Sequence, residues 1–263
     1  MTHLEEDTVK LVSTGPVSEI VINRPKSLNA LNADVLQGIL LALEKLSTMK
    51  DVRVITITGE GEKAFVAGAD IATMSGLGPR AIADYVELGQ RAMRALELTA
   101  VPVIAAVNGY ALGGGLELAL ACDIIVASRA ARLGQPEVNL GVIPGFGGTQ
   151  RLIQRCGVGA ARRLCYTGEL ITADEGFTIG LVDRVVEGAE LKAAVSSMAN
   201  LIAQKAPLAV QKAKTVIRQS QEGNLNAGLR LEVEGFLDLF GTEDRAEGMG
   251  AFLQKREAKW QGR

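Results

Sequence analysis

The sequence predicts a single-domain α/β fold, and three observations predict it. Segments rich in β-branched residues alternate with helical patterns through the first half of the chain. Of the 263 residues 48% are hydrophobic but only 4% aromatic, and no Pro/Ser-rich linker or composition break divides them. Such a core is built mainly from Val, Ile, Leu and Ala in close-packed layers.

Taken in order, Thr8 to Ser13 and Val17 to Asn23 flank a Gly15-Pro16 turn and read as a hairpin. Asn32 is placed to cap a helix whose apolar face is Leu36, Leu40, Leu43 and Leu46, and Val52 to Thr58 then reads as a buried strand. After a glycine-rich turn at Gly59 to Gly68, a helix from Pro79 to Leu98 leads into the strand Val103 to Val107. Another turn, Asn108 to Gly115, precedes a short helix at Leu116 to Ala121 and a strand at Asp123 to Ala127. From Gly147 onward helical patterns dominate except for a strand at Leu181 to Val186, with segments starting near Ala189, Pro207, Asn224 and Glu243. The apolar face Leu225, Leu229, Val233 and Phe236 must be covered, either by the core or by another subunit.

Composition narrows the chemistry. A net charge of −2 offers no footprint for a nucleic-acid backbone. Apolar runs such as Ile104 to Val107 and Leu116 to Cys122 fall far short of the roughly 20 residues needed to cross a bilayer. The start, Met1-Thr2-His3-Leu4-Glu5-Glu6-Asp7, is acidic where a targeting segment would be basic, which predicts a cytoplasmic protein. Cys122, Cys156 and Cys165 show no CxxC spacing and read as reduced core residues. His3 is the one histidine and lies in a terminal segment expected to fray. That argues against a triad with a histidine base and against a histidine-rich metal site. Acid–base chemistry must then rest on carboxylates, Lys, Tyr or Cys.

The most informative stretch runs from Ala105 to Asp123: a buried strand, then Gly113-Gly114-Gly115, then an apolar helix whose one acidic residue is Glu117. Bare backbone at a helix N-terminus can hold developing negative charge. The glycines can equally serve close helix–strand packing, with Glu117 merely paired or favoured by the helix dipole. Leu116, Leu118 and Leu120 surround the carboxylate, and desolvation raises a carboxyl pKa toward values useful for proton transfer. Glu137 is a second lone carboxylate among apolar residues and glycines, between Leu133 and Arg151; it is either a solvated loop residue, a salt-bridge partner, or the partner of Glu117. A third piece, Lys63 to Ile71, is a small-residue turn able to bring one more backbone N–H to the same place. No phosphate-cradling motif survives inspection: Gly141 to Thr149 lacks the Gly-Lys-[Ser/Thr] ending, and the glycines before Glu117 do not give GxGxxG.

Together these segments resemble the enoyl-CoA hydratase/isomerase, or crotonase, family across nearly the whole chain. Further matching pieces are Asn23-Arg24-Pro25-Lys26 with Leu28-Asn29-Ala30-Leu31, the run Pro144 to Leu152, and Glu247-Gly248-Met249 with Phe252-Leu253 and Lys255-Arg256. The resemblance implies a crotonase-like spiral of ββα units over residues 1–195, then a helical region over 196–263 used in trimerisation, in one continuous domain. Trimers of this family often pair into hexamers.

The resemblance also assigns roles. Glu117 and Glu137 match the two glutamates of the hydratases, Ala69 and Gly114 the residues whose N–H groups form the oxyanion hole, and Gly145 the glycine that helps place the attacking water. Lys26 falls near the phosphates of coenzyme A, and Ala67, Asp70 and Ile71 along its adenine and pantetheine path. The implied reaction is reversible syn addition of water to a 2-trans-enoyl-CoA in fatty-acid or related acyl-CoA metabolism, with no cofactor or metal beyond the coenzyme A of the substrate. Alternatives are an enoyl-CoA isomerase or other acyl-CoA lyase, for which one base suffices, and a non-catalytic binding protein on the same scaffold. Two departures bear on chain length: Ala72-Thr73-Met74 lacks the Lys and Glu many relatives carry, and Phe146 stands where a smaller residue is common. Met74, Tyr85 and Phe146 are the residues expected to shape the acyl pocket.

Overall fold

The computed structural model describes residues 8–221 and 223–263; His3 lies outside the described residues. Strands β1 (Val9–Thr14) and β2 (Val17–Ile22) form the expected antiparallel hairpin, with Gly15 turning at φ +68°. Helix α1 (Ala33–Ser47) is capped by Asn32, whose side chain accepts from the Val35 amide at 3.0 Å. It buries Val35, Leu36, Ile39, Leu43 and Leu46, spaced along one face.

Three successive units then repeat one pattern of two strands followed by helix. The first is β3 (Val54–Gly59), β4 (Ala64–Val66), the short α2 (Ile71–Met74) and α3 (Pro79–Leu98). The second is β5 (Val103–Val107), β6 (Tyr110–Leu112) and α4 (Gly114–Leu120). The third is β7 (Ile124–Ser128), β8 (Arg132–Gly134), a 3-10 turn (Pro136–Leu140) and α5 (Gly148–Thr167). In each unit the first strand joins a six-stranded sheet, ordered β1-β2-β3-β5-β7-β10, and the second joins a four-stranded sheet, ordered β4-β6-β8-β9. Pairing is parallel in both sheets except for β1 with β2 and β8 with β9. The chain therefore spirals between two sheets, as the resemblance implies.

Strands β9 (Leu170–Thr172) and β10 (Arg184–Val186) flank α6 (Ala173–Thr178), and α7 (Leu191–Ala203), α8 (Pro207–Gln221), α9 (Leu225–Phe240) and α10 (Glu243–Leu253) follow. β5 is buried along its whole length, which fits a central parallel strand covered on both faces. The main core packs α1, α3 and α4 around the sheets, while a smaller one packs α7 on the opposite face through Val54, Ile104, Val126, Leu191 and Val195.

Four short features differ from the sequence-based expectation. The turn at 59–68 contains β4, the turn at 108–115 contains β6, and β8 and β9 lie where no strand is expected. All four are three residues long, too short to show an alternating pattern. The strand expected over Leu181 to Val186 is confined to Arg184–Val186. Leu181 and Val182 are buried, and their amides donate to Gly176 O, closing the end of α6 instead of a sheet ladder. Cys122, Cys156 and Cys165 are free thiols, and Cys122 and Cys165 are buried as expected.

The C-terminal helices are tied to the core by Lys214 of α8. Its Nζ lies 2.8 Å from Asp123 Oδ2 and donates to the carbonyls of Leu96 and Val101 at 3.2 and 3.0 Å. Among the described residues nothing covers the outer face of α9: Leu225, Val233, Phe236 and Leu237 are all more than half exposed. No helix of the described residues is long and apolar enough to cross a membrane.

Candidate active site

The three consecutive glycines each meet a different demand. Gly113 adopts φ +49°, and a Cβ there would lie 2.7 Å from Glu137 Oε1. A Cβ on Gly115 would lie 1.9 Å from the Val66 carbonyl oxygen, so close packing of α4 on β4 requires glycine. A Cβ on Gly114 would point toward Ala69, 3.4 Å from its backbone nitrogen. Gly115 thus serves close packing, while Gly114 sets its backbone beside that of Ala69.

Ala69 is held by its neighbours. Leu31 forms an isolated β-bridge with it, the Leu31 amide donates to Gly68 O at 2.8 Å, and the Asp70 amide donates to Leu31 O at 2.8 Å. The Tyr85 hydroxyl, from α3, donates to the same Leu31 carbonyl at 2.6 Å. Burial pushes that phenol up to about 12, so it stays protonated as a donor.

Glu117, projecting from the first turn of α4, is 1% exposed. Its Oε1 accepts two backbone N–H groups, from Phe146 at 2.8 Å and Gly148 at 2.7 Å. Phe146 lies in the glycine-rich segment before α5, and Gly148 is the first residue of that helix. Burial raises the Glu117 pKa to about 7; the Gly148 amide opposes that rise, the charge of Glu137 adds to it, and the Phe146 amide and Arg151 oppose it. A carboxyl poised near neutrality can both take and return a proton.

Glu137 lies not in an open loop but in the 3-10 turn Pro136–Leu140, half-buried, and burial raises its pKa as well. With its amide nitrogen turned toward the carboxylate, the fully buried Gln135 donates to both Glu137 oxygens at 2.9 and 3.1 Å. The Gln135 side chain and the Glu117 Cγ both lie beside Gly148. The fold has therefore brought the two lone carboxylates, and the Gly114 and Ala69 backbones, to one place.

The ring of Phe146 borders it. Phe146 is 3% exposed, packs edge-on against Tyr85 with ring centroids 5.5 Å apart, and lies 3.2 Å from where a Gly114 Cβ would sit. Gly145 is half-buried beside Val86, and its carbonyl accepts from Gln90 Nε2 at 2.9 Å. Lys26 is exposed on a 3-10 turn (Pro25–Ser27), Ala67 is half-buried, and Ile71 is 49% exposed at the start of α2. Asp70 is occupied within the chain: it caps α2 through the Thr73 amide and pairs with Arg24 at 2.9 Å, which together hold its carboxyl below the usual range against the opposing effect of burial. Among the described residues, no group of three or more His, Cys, Asp or Glu side chains is placed to hold a metal ion.

A profile of the enoyl-CoA hydratase/isomerase family matches residues 13–263. The chain belongs to the enoyl-CoA hydratase/isomerase family. It is 45% identical over 254 residues to the short-chain-enoyl-CoA hydratase of Clostridium acetobutylicum, covering 97% of each chain. It is 46% identical over 241 residues to the crotonyl-CoA hydratase of Syntrophomonas wolfei, covering 92% of this chain and 93% of that one. The crystal structure of an enoyl-CoA hydratase from Bacillus anthracis superposes with a TM-score of 0.95 at 38% identity, covering 97% of this chain and all of the other. Within that family fold, nothing in the sequence assigns a role to Gln135, Glu97 or Arg151. Glu97 and Arg151 stand 54 positions apart, and only folding pairs them.

Proposed function

We propose that this enzyme adds water reversibly, in syn fashion, to a 2-trans-enoyl-CoA to give the 3-hydroxyacyl-CoA, with Glu117 and Glu137 as paired acid–base groups. One observation carries the reading. Glu117, buried and anchored through one oxygen by two amides, shares its site with a second half-buried carboxyl, and each has a raised pKa. An isomerase needs chiefly one base, so the presence of both favours hydration.

In this reading the thioester carbonyl lies between the amides of Ala69 and Gly114. Polarisation there makes the β-carbon electrophilic and lets the α-carbon carry enolate character. Glu117, whose anion is favoured by the Phe146 and Gly148 amides, takes a proton from the attacking water, which the Gly145 amide helps to place. Glu137 delivers a proton to the α-carbon on the same face. Proton transfer by a positioned group contributes about 10² to 10⁴ in rate, and one oxyanion donor about 10² to 10³. The proton that Glu117 takes from water balances the one that Glu137 gives to the α-carbon, and proton exchange between the two groups or with solvent resets them, so the addition balances with no cofactor beyond the coenzyme A of the substrate.

Short acyl groups fit best, because the Phe146 ring fills the space beside Gly114; the names of the Clostridium and Syntrophomonas relatives point the same way. Lys26, Ala67 and Ile71 are assigned to the coenzyme A path, with Asp70 shaping it through its Arg24 pair. The uncovered apolar face of α9 supports assembly into a trimer or a pair of trimers.

The test is hydration of crotonyl-CoA followed by loss of the enoyl absorbance. Glu117→Gln and Glu137→Gln are each expected to lose about 10² to 10⁴ in kcat while still binding the thioester. Activity near wild type in either variant refutes the assigned roles, and efficient conversion of a 3-enoyl-CoA without hydration would favour the isomerase reading.

A further inference from the structure

Arg151 lies behind Glu117 in the first turn of α5, and its guanidinium holds two partners at once. Nη1 donates to the Phe146 carbonyl at 2.6 Å, and Nε donates to Glu97 Oε1 at 2.6 Å. The other Glu97 oxygen accepts from Arg94 Nη1 at 3.1 Å. α3 thus presents to α5 a carboxylate gripped on both oxygens. The Arg151 and Glu97 side chains are only 12% and 20% exposed, which strengthens charge-assisted contacts against competition from water.

The carbonyl that Arg151 grips sits between the two amides that bind Glu117. Along the chain come the Phe146 N–H, the Phe146 C=O, Gly147, and then the Gly148 N–H. The Phe146 carbonyl shares its peptide plane with the Gly147 N–H; rotating the plane would change the backbone angles on either side and displace the Gly148 amide relative to the Phe146 amide, and the grip of Arg151 opposes that rotation. Gly147 takes φ +104°, and a Cβ there would lie 2.2 Å from Arg151 Nη1. Glycine therefore supplies both the turn and the room for the guanidinium.

We propose that Arg151, braced by Glu97, is a positioning residue: it fixes the Phe146 carbonyl so that the flanking amides hold one oxygen of Glu117 and the other oxygen faces the reactant. The inference rests on the hydratase reading for the role of Glu117. The titratable and charged groups facing Glu117 are Glu137 from the 3-10 turn, Arg151 and Cys165 from α5, and Tyr85 from α3. Of these Arg151 is the one cation, and it favours the Glu117 carboxylate.

The experiment compares wild type with Arg151→Gln, Arg151→Lys and Glu117→Gln, by crotonyl-CoA kinetics across pH and by infrared titration of the protonated carboxyl band that Glu117→Gln removes. Arg151→Gln is expected to lower kcat about 10²-fold, the scale of a small misplacement of a catalytic group, with KM little changed. The Glu117 midpoint, and with it the pH below which kcat/KM falls, moves upward; Arg151→Lys restores part of both. If Arg151→Gln does not fold, Arg151→Met, which fills the slot without an unpaired polar group, takes its place with the same expected shifts. A kcat near wild type overturns the proposal, as does a loss of kcat with an unmoved infrared midpoint, because a pair serving folding alone would not move Glu117. Absence of crotonyl-CoA turnover in wild type defeats the hydratase reading instead, and the infrared midpoint of Arg151→Gln still decides the positioning role.

Discussion

Gly89 of α3 faces the ring of Phe146 so closely that a Cβ on Gly89 would lie 2.2 Å from a ring carbon. The ring occupies its position because that one residue has no side chain. With Tyr85 on the same helix packed on its edge, Phe146 is walled in from α3 and bounds the space beside Gly114.

Phe146→Ala is therefore expected to shift preference toward longer enoyl-CoA thioesters. A methylene gained or lost in an apolar pocket changes kcat/KM by roughly 10 to 200-fold, so the ratio for six-carbon over four-carbon substrates should rise by about tenfold or more. The same change removes a buried ring and should cost roughly 3 to 5 kcal/mol of stability. Gly89→Ala should displace the ring and lower both stability and turnover. An unchanged chain-length profile in Phe146→Ala would mean that another residue ends the pocket.

Stability should depend on pH through Glu117. Burial first of all raises its carboxyl from an ordinary 4.5 to about 7, so the folded state binds the proton more tightly than the unfolded chain. That contribution is fully present below about 4.5 and is lost as pH rises through about 7. At roughly 1.4 kcal/mol per pKa unit it amounts to about 3 kcal/mol at most. Urea unfolding from pH 4.5 to 8 should show wild type losing stability relative to Glu117→Gln across that window; parallel curves would contradict the raised pKa.

Lys214→Met should leave Asp123 without its cation and the carbonyls of Leu96 and Val101 without their donor. Removing one member of a buried pair costs about 3 to 5 kcal/mol, and Asp123, being partly exposed, places the expectation at the lower end. Chemical denaturation measures it directly. A cost well under about 1 kcal/mol would show that α8 is anchored by apolar contacts alone.

Phe236→Glu with Leu237→Glu should reduce the assembly to monomers in sedimentation experiments, since both side chains are more than 60% exposed on the single chain. The wild-type protein is expected to sediment as a trimer or hexamer. A wild-type monomer would remove the assembly reading without touching the chemistry.

The legible parts of the fold were the long ones. The helix from Pro79 to Leu98 is found at those limits because Pro at the first position and the apolar period state them locally, and Asn32 caps its helix for the same kind of reason. The three-residue strands β4, β6, β8 and β9 were not legible, since each is a strand only because a neighbour distant in sequence pairs with it.

In the candidate site, Glu117 and Glu137 stand out in the sequence as lone carboxylates in apolar surroundings, and three adjacent glycines announce bare backbone. The sequence leaves open whether those glycines serve packing or an open amide; the structure shows Gly115 packed against Val66 and the Gly114 backbone beside that of Ala69. Gln135 against Glu137 and Glu97 against Arg151 carried no local signal at all, because nothing near them in the chain names their partners.

The sequence by itself determined the alternation of strand and helix and the residue types available for proton transfer. Tertiary structure alone decided which oxygen of Glu117 is anchored, how far its pKa rises, and how Gly89 and Tyr85 wall in Phe146. Those properties depend on burial and on contacts between segments that are tens of residues apart, and neither exists until the two sheets and their helices close around the site.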